Sequence, residues 1–459
     1  MILLIMITAG CARYSTKPLD DAAVTRSLTP PSTAELQVEA GAVKHPRLQP
    51  VEVNFNNGLA PDEAAIIAVL INPKLRAERD KRGVSAAQLY QAGILPNPQF
   101  SGSLDFPNAG TTQGTVTAFG LGLSYDTYAL ITRGAEIAAA RANVCSVDLQ
   151  VAWQEWQVAE GAKLHAYRQF LLQQQLAVAR EEEQGLRENL AAVQRAVRLR
   201  DMTIIDLSAA RASYEKVRLS VIGIEQNLKQ EQLALNLALG FPPDRSVQLQ
   251  QNIAMPDAAM IPQLAQLTNG LGDSRLDLLA LKMGYQSQEE RVRAAVLGQF
   301  PKISIGFAEA RDNTNVISSG LTLGISLPIF DRNQGKIAIE RATRQQLFDE
   351  YANRLFEARS TLATSYANIK WIQRQIDATR QYLPTLKDLV QTYYQALLEG
   401  NADVLTYYNA RDQLIAERIA LLNLQMQLVD QFIALEVASG NYLGPVQANG
   451  HDPGDHNQQ

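Results

Sequence analysis

The chain has 459 residues, with 42 Lys and Arg against 47 Asp and Glu, and this dispersed net charge of -5 gives no reason to expect nucleic acid. Two cysteines are too few for a disulfide framework, and four histidines and seven methionines are too few for a rich metal site or a thioether ladder. Length alone suggests about three domains, but very long helices and a duplication of the chain point instead to one elongated body of two similar halves.

Residues 1–10 are apolar and precede the lone Cys11. The run is far short of the ~20 residues that a spanning helix needs. Thr8-Ala9-Gly10-Cys11 resembles the lipobox that ends a bacterial lipoprotein signal, with Thr8 where an aliphatic residue is usual and no Lys or Arg ahead of the apolar run. Residues 1–11 are therefore expected to be the signal, and Cys11 the lipidated residue. Residues 12–58 are rich in Pro, Thr, Ser and Asn without a sustained period, and read as an extended arm.

A first repeat is expected over residues 59–240. Pro61-Asp62-Glu63 opens a short helix, with proline in the first turn and acids at the positive end, and Asn72-Pro73 interrupts it and caps a second helix to about Ala92. The period then changes from 3.6 to 2. Phe119, Leu121, Leu123 and Tyr125 alternate with small residues, and a partner strand over Gln99 to Phe106 makes a hairpin at 99–126. From 132 to 200 no proline occurs and good helix formers fill the sequence. Such a helix is roughly 100 Å long at 1.5 Å per residue, too long for a compact globule. Arg198-Leu199-Arg200-Asp201-Met202-Thr203 reads as a sharp turn in which cations close one helix and Asp201 caps the next, a return helix over 203–239 stopped by Gly240-Phe241-Pro242-Pro243.

After a connecting segment at 241–272 the plan recurs over 273–440. Asp273-Ser274 is expected to open a helix to about Leu297; a hairpin follows at 302–329, a long helix at 336–399 and a return helix at 402–438. A shift of about 200 lays Asp201 through Arg211 on Asn401 through Arg411, and Gly240 on Gly440, so the chain is an internal duplication. Leu321, Leu323, Ile325, Leu327 and Ile329 repeat the strand alternation. Leu347, Tyr351, Leu355, Ala358, Leu362, Tyr366, Ile369, Ile372 and Ile376 follow a coiled-coil seam, and Pro384 predicts a kink near Gln381. Residues 441–459 read as a disordered tail in which His451 and His456 are solvated.

Strand segments of about ten residues, apolar on one face and small or polar on the other, are the signature of a membrane β-barrel. Four strands cannot close one, and an open edge is not tolerated in lipid, so several chains must pool their strands.

Leu-Ile-Asn-Pro-Lys-Leu-Arg-Ala at 70–77, Ala-Gly-Ile-Leu-Pro-Asn-Pro-Gln at 92–99, the duplicated hairpin-helix-turn-helix unit and Ser-Leu-Pro-Ile-Phe-Asp-Arg-Asn-Gln-Gly at 326–335 resemble the TolC family of outer-membrane efflux proteins, the second and last motifs most of all its cobalt-zinc-cadmium resistance branch. The resemblance implies a mainly α fold with a membrane β part: a homotrimer whose 12-stranded barrel, four strands per chain, continues into a long α-helical coiled-coil barrel. It implies a passive outer-membrane duct, anchored in the outer membrane lipid and reaching into the periplasm. Its partners would be a periplasmic adaptor protein and a proton-driven inner-membrane pump, and its cargo metal cations or drugs. By the same resemblance Arg200, Asp201, Met202, Gly400 and Asn401 form the adaptor-contacting tips, and Asp206, Asp403, Thr406 and Asn409 line the aperture, with Thr406 and Asn409 standing where some members carry acids.

The alternatives are a type I secretion duct, a soluble coiled-coil scaffold and an enzyme. For the last, no phosphate-binding glycine loop, nucleophile elbow or zinc spacing is present, so no cofactor and no metal site is expected. His165 and Cys145, both on the first long helix, read as structural residues.

Overall fold

The computed structural model describes residues 13–443. The expected lipidation site Cys11 and the tail histidines His451 and His456 lie outside the described residues.

The N-terminal stretch is not simply extended. It forms α1 (Asp21–Leu28), capped by Asp20, and α2 (Thr33–Gly41), opened by a capping box in which Ser32 and Glu35 satisfy each other's backbone N–H groups. Leu36 and Ala40 of α2 and Val53 beyond it are buried against α3 (Pro61–Ile71). His45 fastens this arm to the body. Its Nδ1 accepts the N–H groups of Arg47 and Leu48, both at 3.0 Å, and its Nε2 donates to the carbonyl of Ala152 at 2.9 Å. Burial holds the imidazole below its ordinary pKa, consistent with a neutral ring.

Asn72 ends α3 and begins α4 (Pro73–Gly93), its Oδ1 accepting from Lys74 N at 2.9 Å. Then come β1 (Gln99–Asp105), β2 (Ala118–Asp126), the 72-residue α5 (Tyr128–Leu199) and the 36-residue α6 (Ile204–Leu239). The second half holds the short α7 (Leu264–Thr268) and α8 (Leu271–Ser274), then α9 (Leu276–Leu297), β3 (Lys302–Arg311) and β4 (Ile317–Ser326). The 65-residue α10 (Gln334–Leu398) and the 36-residue α11 (Val404–Ser439) complete it. Helix α10 passes through Pro384 without a break in its assignment.

Three local expectations are corrected. Asp273 and Ser274 do not open α9; they end α8, and Arg275 precedes α9 without a side-chain cap. Asp201 does not cap α6. Thr203 does, because it stands three residues before Asp206 and can share a reciprocal capping box with it. Strand β4 begins at Ile317 and ends before Pro328, so Leu327 and Ile329 lie beyond it. Proline has no N–H to give to a ladder.

The two repeats close in the same way. Each return helix ends in a left-handed glycine, Gly240 at φ 76° and Gly440 at φ 68°. A Cβ on Gly240 would lie 2.9 Å from Pro73 Cδ and 3.0 Å from Asn72 Cα; one on Gly440 would lie 3.0 Å from Arg275 Cα. Asn72 Nδ2 donates to the Ala238 carbonyl at 2.8 Å and Arg275 Nη1 to the Ala438 carbonyl at 3.1 Å, each satisfying a carbonyl that the end of its helix leaves open. Glycine is needed at both positions for its φ and for its lack of bulk. Gly400 has a similar φ of 73° but open space around its Cα. Gly240→Ala and Gly440→Ala are therefore expected to lower Tm clearly more than Gly400→Ala, whose cost is conformational strain alone, about 1 kcal/mol. Equal losses in thermal melts of the three variants would remove the packing argument.

Candidate functional site

The four strands form one antiparallel sheet in the order β1-β2-β3-β4. The register pairs Phe100 with Leu123, Leu123 with Phe307 and Phe307 with Leu321, while Tyr125 pairs with Ile305 and Ile305 with Leu323. Directly paired residues share a face, so these side chains form one apolar surface. It is open to the outside: Leu321 is 90% exposed, Phe100 72% and Leu323 67%. The opposite face carries Ser101, Ser103, Gly120, Gly122, Ser304, Gly306, Gly320, Thr322 and Gly324. Serines pair with glycines across it, and a Cβ on Gly122 would lie 2.7 Å from Ser101 Oγ. The apolar face ends in charge at Glu309 and Arg311, the latter stacked 5.3 Å from the Phe119 ring and donating to the Thr117 carbonyl at 2.7 Å. Among the described residues no helix is long and apolar enough to cross a membrane.

At the other end of the molecule, α5–α6 and α10–α11 each make a sharp helical tip. The first turns on Arg200, a non-glycine residue at φ 65°, and the second on Gly400. Arg200 and Asp201 are exposed and Met202 is half-buried, packed with Leu207, Val404 and Tyr407. Asn401 is exposed and donates to Glu399 at 3.1 Å. Five apolar side chains around these turns also face outward: Leu199, Ile204 and Ile205 on the first tip, Leu398 and Leu405 on the second.

Asp206 Oδ2 accepts from Thr203 N at 2.8 Å and Thr203 Oγ1 at 2.7 Å, which makes it half of the cap on α6. Asp403 caps α11, accepting from Thr406 N at 2.7 Å and Thr406 Oγ1 at 3.1 Å. Those bonds hold the Asp403 carboxyl below the usual range. Thr406 is half-buried and Asn409 is exposed. Within one chain the acids therefore serve as caps, and Thr406 is the hydrogen-bonding partner of Asp403.

Polar bonds tie one hairpin to the other. Tyr408 donates to Asn189 Oδ1 at 2.5 Å, and Arg411 pairs with Glu182 and with the Tyr407 hydroxyl. Asp412 accepts from Ser213 Oγ and Lys216 Nζ, both at 2.8 Å. Burial opposes the Arg411 charge, yet Glu182 and Tyr407 hold its guanidinium above its ordinary range, and burial pushes the Tyr408 phenol up to about 12. Sequence reasoning missed these ties, although Arg411 lay in the duplicated segment; its partner is 229 positions away. His165 is half-buried and its Nδ1 lies 2.5 Å from Glu231, while Cys145 is exposed instead of packed. No grouping of His, Cys, Asp or Glu among the described residues could hold a metal ion.

Residues 267–441 match the outer membrane efflux protein family. The chain is 25% identical to the cation efflux system protein CusC of Escherichia coli K12 over 290 residues, 60% of this chain and 62% of CusC. It is 23% identical to the probable outer membrane lipoprotein SilC of Salmonella typhimurium over 284 residues, 59% of this chain and 61% of SilC. The matched stretch thus spans about three-fifths of those relatives' length. A crystal structure of CusC superposes with a TM-score of 0.69 at 21% identity, covering 87% of this chain and 99% of that one. The fold is that of these channels.

Arg411→Ala is expected to speed amide exchange around both tips by roughly tenfold or more, since it leaves a partly buried carboxylate without its partner, a loss of about 1–3 kcal/mol. Exchange near Trp156 should not change. Equal acceleration along the whole of α5 would make the pair a general stabiliser instead of a tie between hairpins.

Proposed function

We propose, from the match of residues 267–441 to the outer membrane efflux protein family, that this protein is the outer-membrane duct of a tripartite efflux system. It acts as a passive conduit, not as an enzyme. Three copies pool twelve strands into a barrel in the outer membrane and continue it as a helical tunnel into the periplasm. A periplasmic adaptor docks on the tips, and an inner-membrane proton-driven pump supplies the cargo. Metal cations are the cargo class we favour, because the relatives reported above include a cation efflux protein. Lipid on Cys11 adds an anchor, which incorporation of labelled palmitate into the wild type but not into Cys11→Ser would test.

The observation that carries the reading is the sheet. It has an exposed apolar face, a small polar face and two edges, β1 and β4, without a partner strand among the described residues. A barrel of several copies gives every edge a partner, turns the apolar face to lipid and the small face to the lumen. Arginine at Leu121, Leu123, Leu323 or Ile325 is expected to cost about 2–4 kcal/mol near the bilayer midplane. Asparagine at Ser103 or Ser326 should be tolerated, while Gly122 accepts a side chain only if the Ser101 hydroxyl turns away. Heat-stability of the detergent-solubilised oligomer measures both sets, and equal losses on the two faces would invert the assignment.

The aperture reading adds charge to the caps. Around a three-fold axis, Asp206 and Asp403 would each recur three times close to Thr406 and Asn409, and such a ring attracts cations. Asparagine keeps the capping geometry and removes the charge. Single-channel conductance is expected to be cation-selective and blocked by multivalent cations, with the block relieved in the Asp206→Asn, Asp403→Asn double variant. Unchanged block would leave both acids as caps alone.

A further inference from the structure

Lys163 of α5 is 2% exposed, an unusual place for an ammonium group. Its Nζ lies 2.8 Å from Glu436 Oε2 of α11, 3.5 Å from Asp62 Oδ1 of α3, and 4.3 Å above the ring of Tyr442 in the segment after α11. The Tyr442 hydroxyl donates to Asp62 Oδ2 at 2.9 Å, and the backbone N–H of Leu443 donates to Glu436 Oε1 at 2.7 Å. One turn before Lys163, Glu160 is also 2% exposed, and its Oε2 has no partner. The phenol of Tyr167, one turn further along α5, completes the set of titratable groups facing the site.

Two carboxylates thus flank the buried ammonium, and a third, Glu160, is buried one turn away on the same helix. A buried carboxyl with an unpartnered oxygen costs least in its protonated form. Full ionisation would leave uncompensated negative charge in a low-dielectric site, where it is far more costly than in water.

We propose that Glu160 is buried in its protonated form, and that its proton keeps closed a latch joining α3, α5, α11 and the C-terminal segment, a latch that loosens as pH rises. Nothing in the established fold or in the duct reading assigns such a role to these residues, and the latch stands or falls independently of transport. Burial first, then Glu436 and Asp62, hold the Glu160 carboxyl well above its ordinary value, against the pull of Lys163. Burial alone would lower Lys163, but Glu160, Glu436 and Asp62 together with Tyr442 hold it well above its own ordinary range, so it stays charged. A carboxyl raised in the folded state contributes stability that is whole below its unfolded pKa and is lost as pH rises through the folded one. The same sign applies to Lys163, at still higher pH. The latch is therefore closed in acid and opens toward alkali, opposite to the usual carboxylate.

The test uses the full chain in detergent, melted across pH with the fluorescence of Trp153 and Trp156 as the probe. Between about pH 6 and about pH 9 the wild type is expected to lose roughly 5 °C in Tm. Glu160→Gln, a neutral stand-in for the protonated acid, should flatten that slope and melt above the wild type at the alkaline end. An infrared carbonyl band of a protonated carboxylic acid, present in the wild type near neutral pH and lost in Glu160→Gln, reads the proton directly even if the variant is less stable. A parallel pH slope in the two proteins, or the lack of that band in the wild type, would overturn the proposal.

Discussion

The outer edges of β1 and β4 each present a row of backbone donors and acceptors with no partner strand among the described residues. In hydrocarbon every such group costs several kcal/mol, and an apolar sheet face in water is scarcely better. A single copy satisfies neither condition, so the rest of the architecture has to be compatible with closure by further copies. The helical layer is open at matching places. Helix α4 packs on α5, α5 on α9 and α9 on α10, a series whose first member leads into β1 and whose last leaves β4. Helix α10 carries exposed Phe348, Phe356 and Trp371 along its length. In the oligomer proposed above, one rotation pairs the strand edges and covers these side chains together.

Duplication explains why the two ends of each repeat look alike and also why the tips do not match fully. At the return-helix ends the same physical demand recurs, a left-handed residue pressed against the start of a short helix, and glycine is kept at both Gly240 and Gly440. At the tips there is open space, so the left-handed residue is free to differ: Gly400 in one repeat and Arg200 in the other. A charged side chain at Arg200 costs backbone strain that glycine would avoid. That cost falls on an exposed turn flanked by Leu199, Ile204 and Ile205, where it adds charge to an apolar collar. A surface of this composition suits another protein better than water.

The parts of the fold legible in the sequence are those whose signal is local and repeated. The proline-free run into α5, the period-two stretch of Phe119 to Tyr125 and the stop at Gly240 needed no knowledge of partners. Boundaries were lost where neighbouring chemistry competed: Thr203 took the cap that Asp201 had been given, since only Thr203 stands three residues before Asp206. Strand β3 runs on through Glu309 to Arg311, where Arg311 is held by Phe119 and the Thr117 carbonyl, contacts that the local sequence does not display. The N-terminal helices were missed because each is under ten residues and too short to display a period, even though Ser32 and Glu35 spell a capping box. Contacts over long separations carry no local signal at all; Lys163 and Glu436 are 273 positions apart.

These long-range contacts differ in kind along the molecule, and the difference bears on where it can move. In the body, the cross-links are buried: Lys163 with Glu436, Arg275 on the Ala438 carbonyl, and Ser146 and Ser287 on carbonyls of the facing helix. Removing one partner of a buried pair leaves a charge without compensation and costs about 3–5 kcal/mol, so these links do not open one at a time. Toward the tips the ties include more exposed groups, such as Lys216 with Asp412 and Arg418 with Glu181. Exposed pairs of that kind contribute about 0–1 kcal/mol each, and water replaces them readily. Stability therefore falls from the body toward the tips, where the hairpins α5–α6 and α10–α11 can part from each other while the sheet and the helices beside it keep their packing. In the duct proposed above, the helical end can move without the sheet having to rearrange.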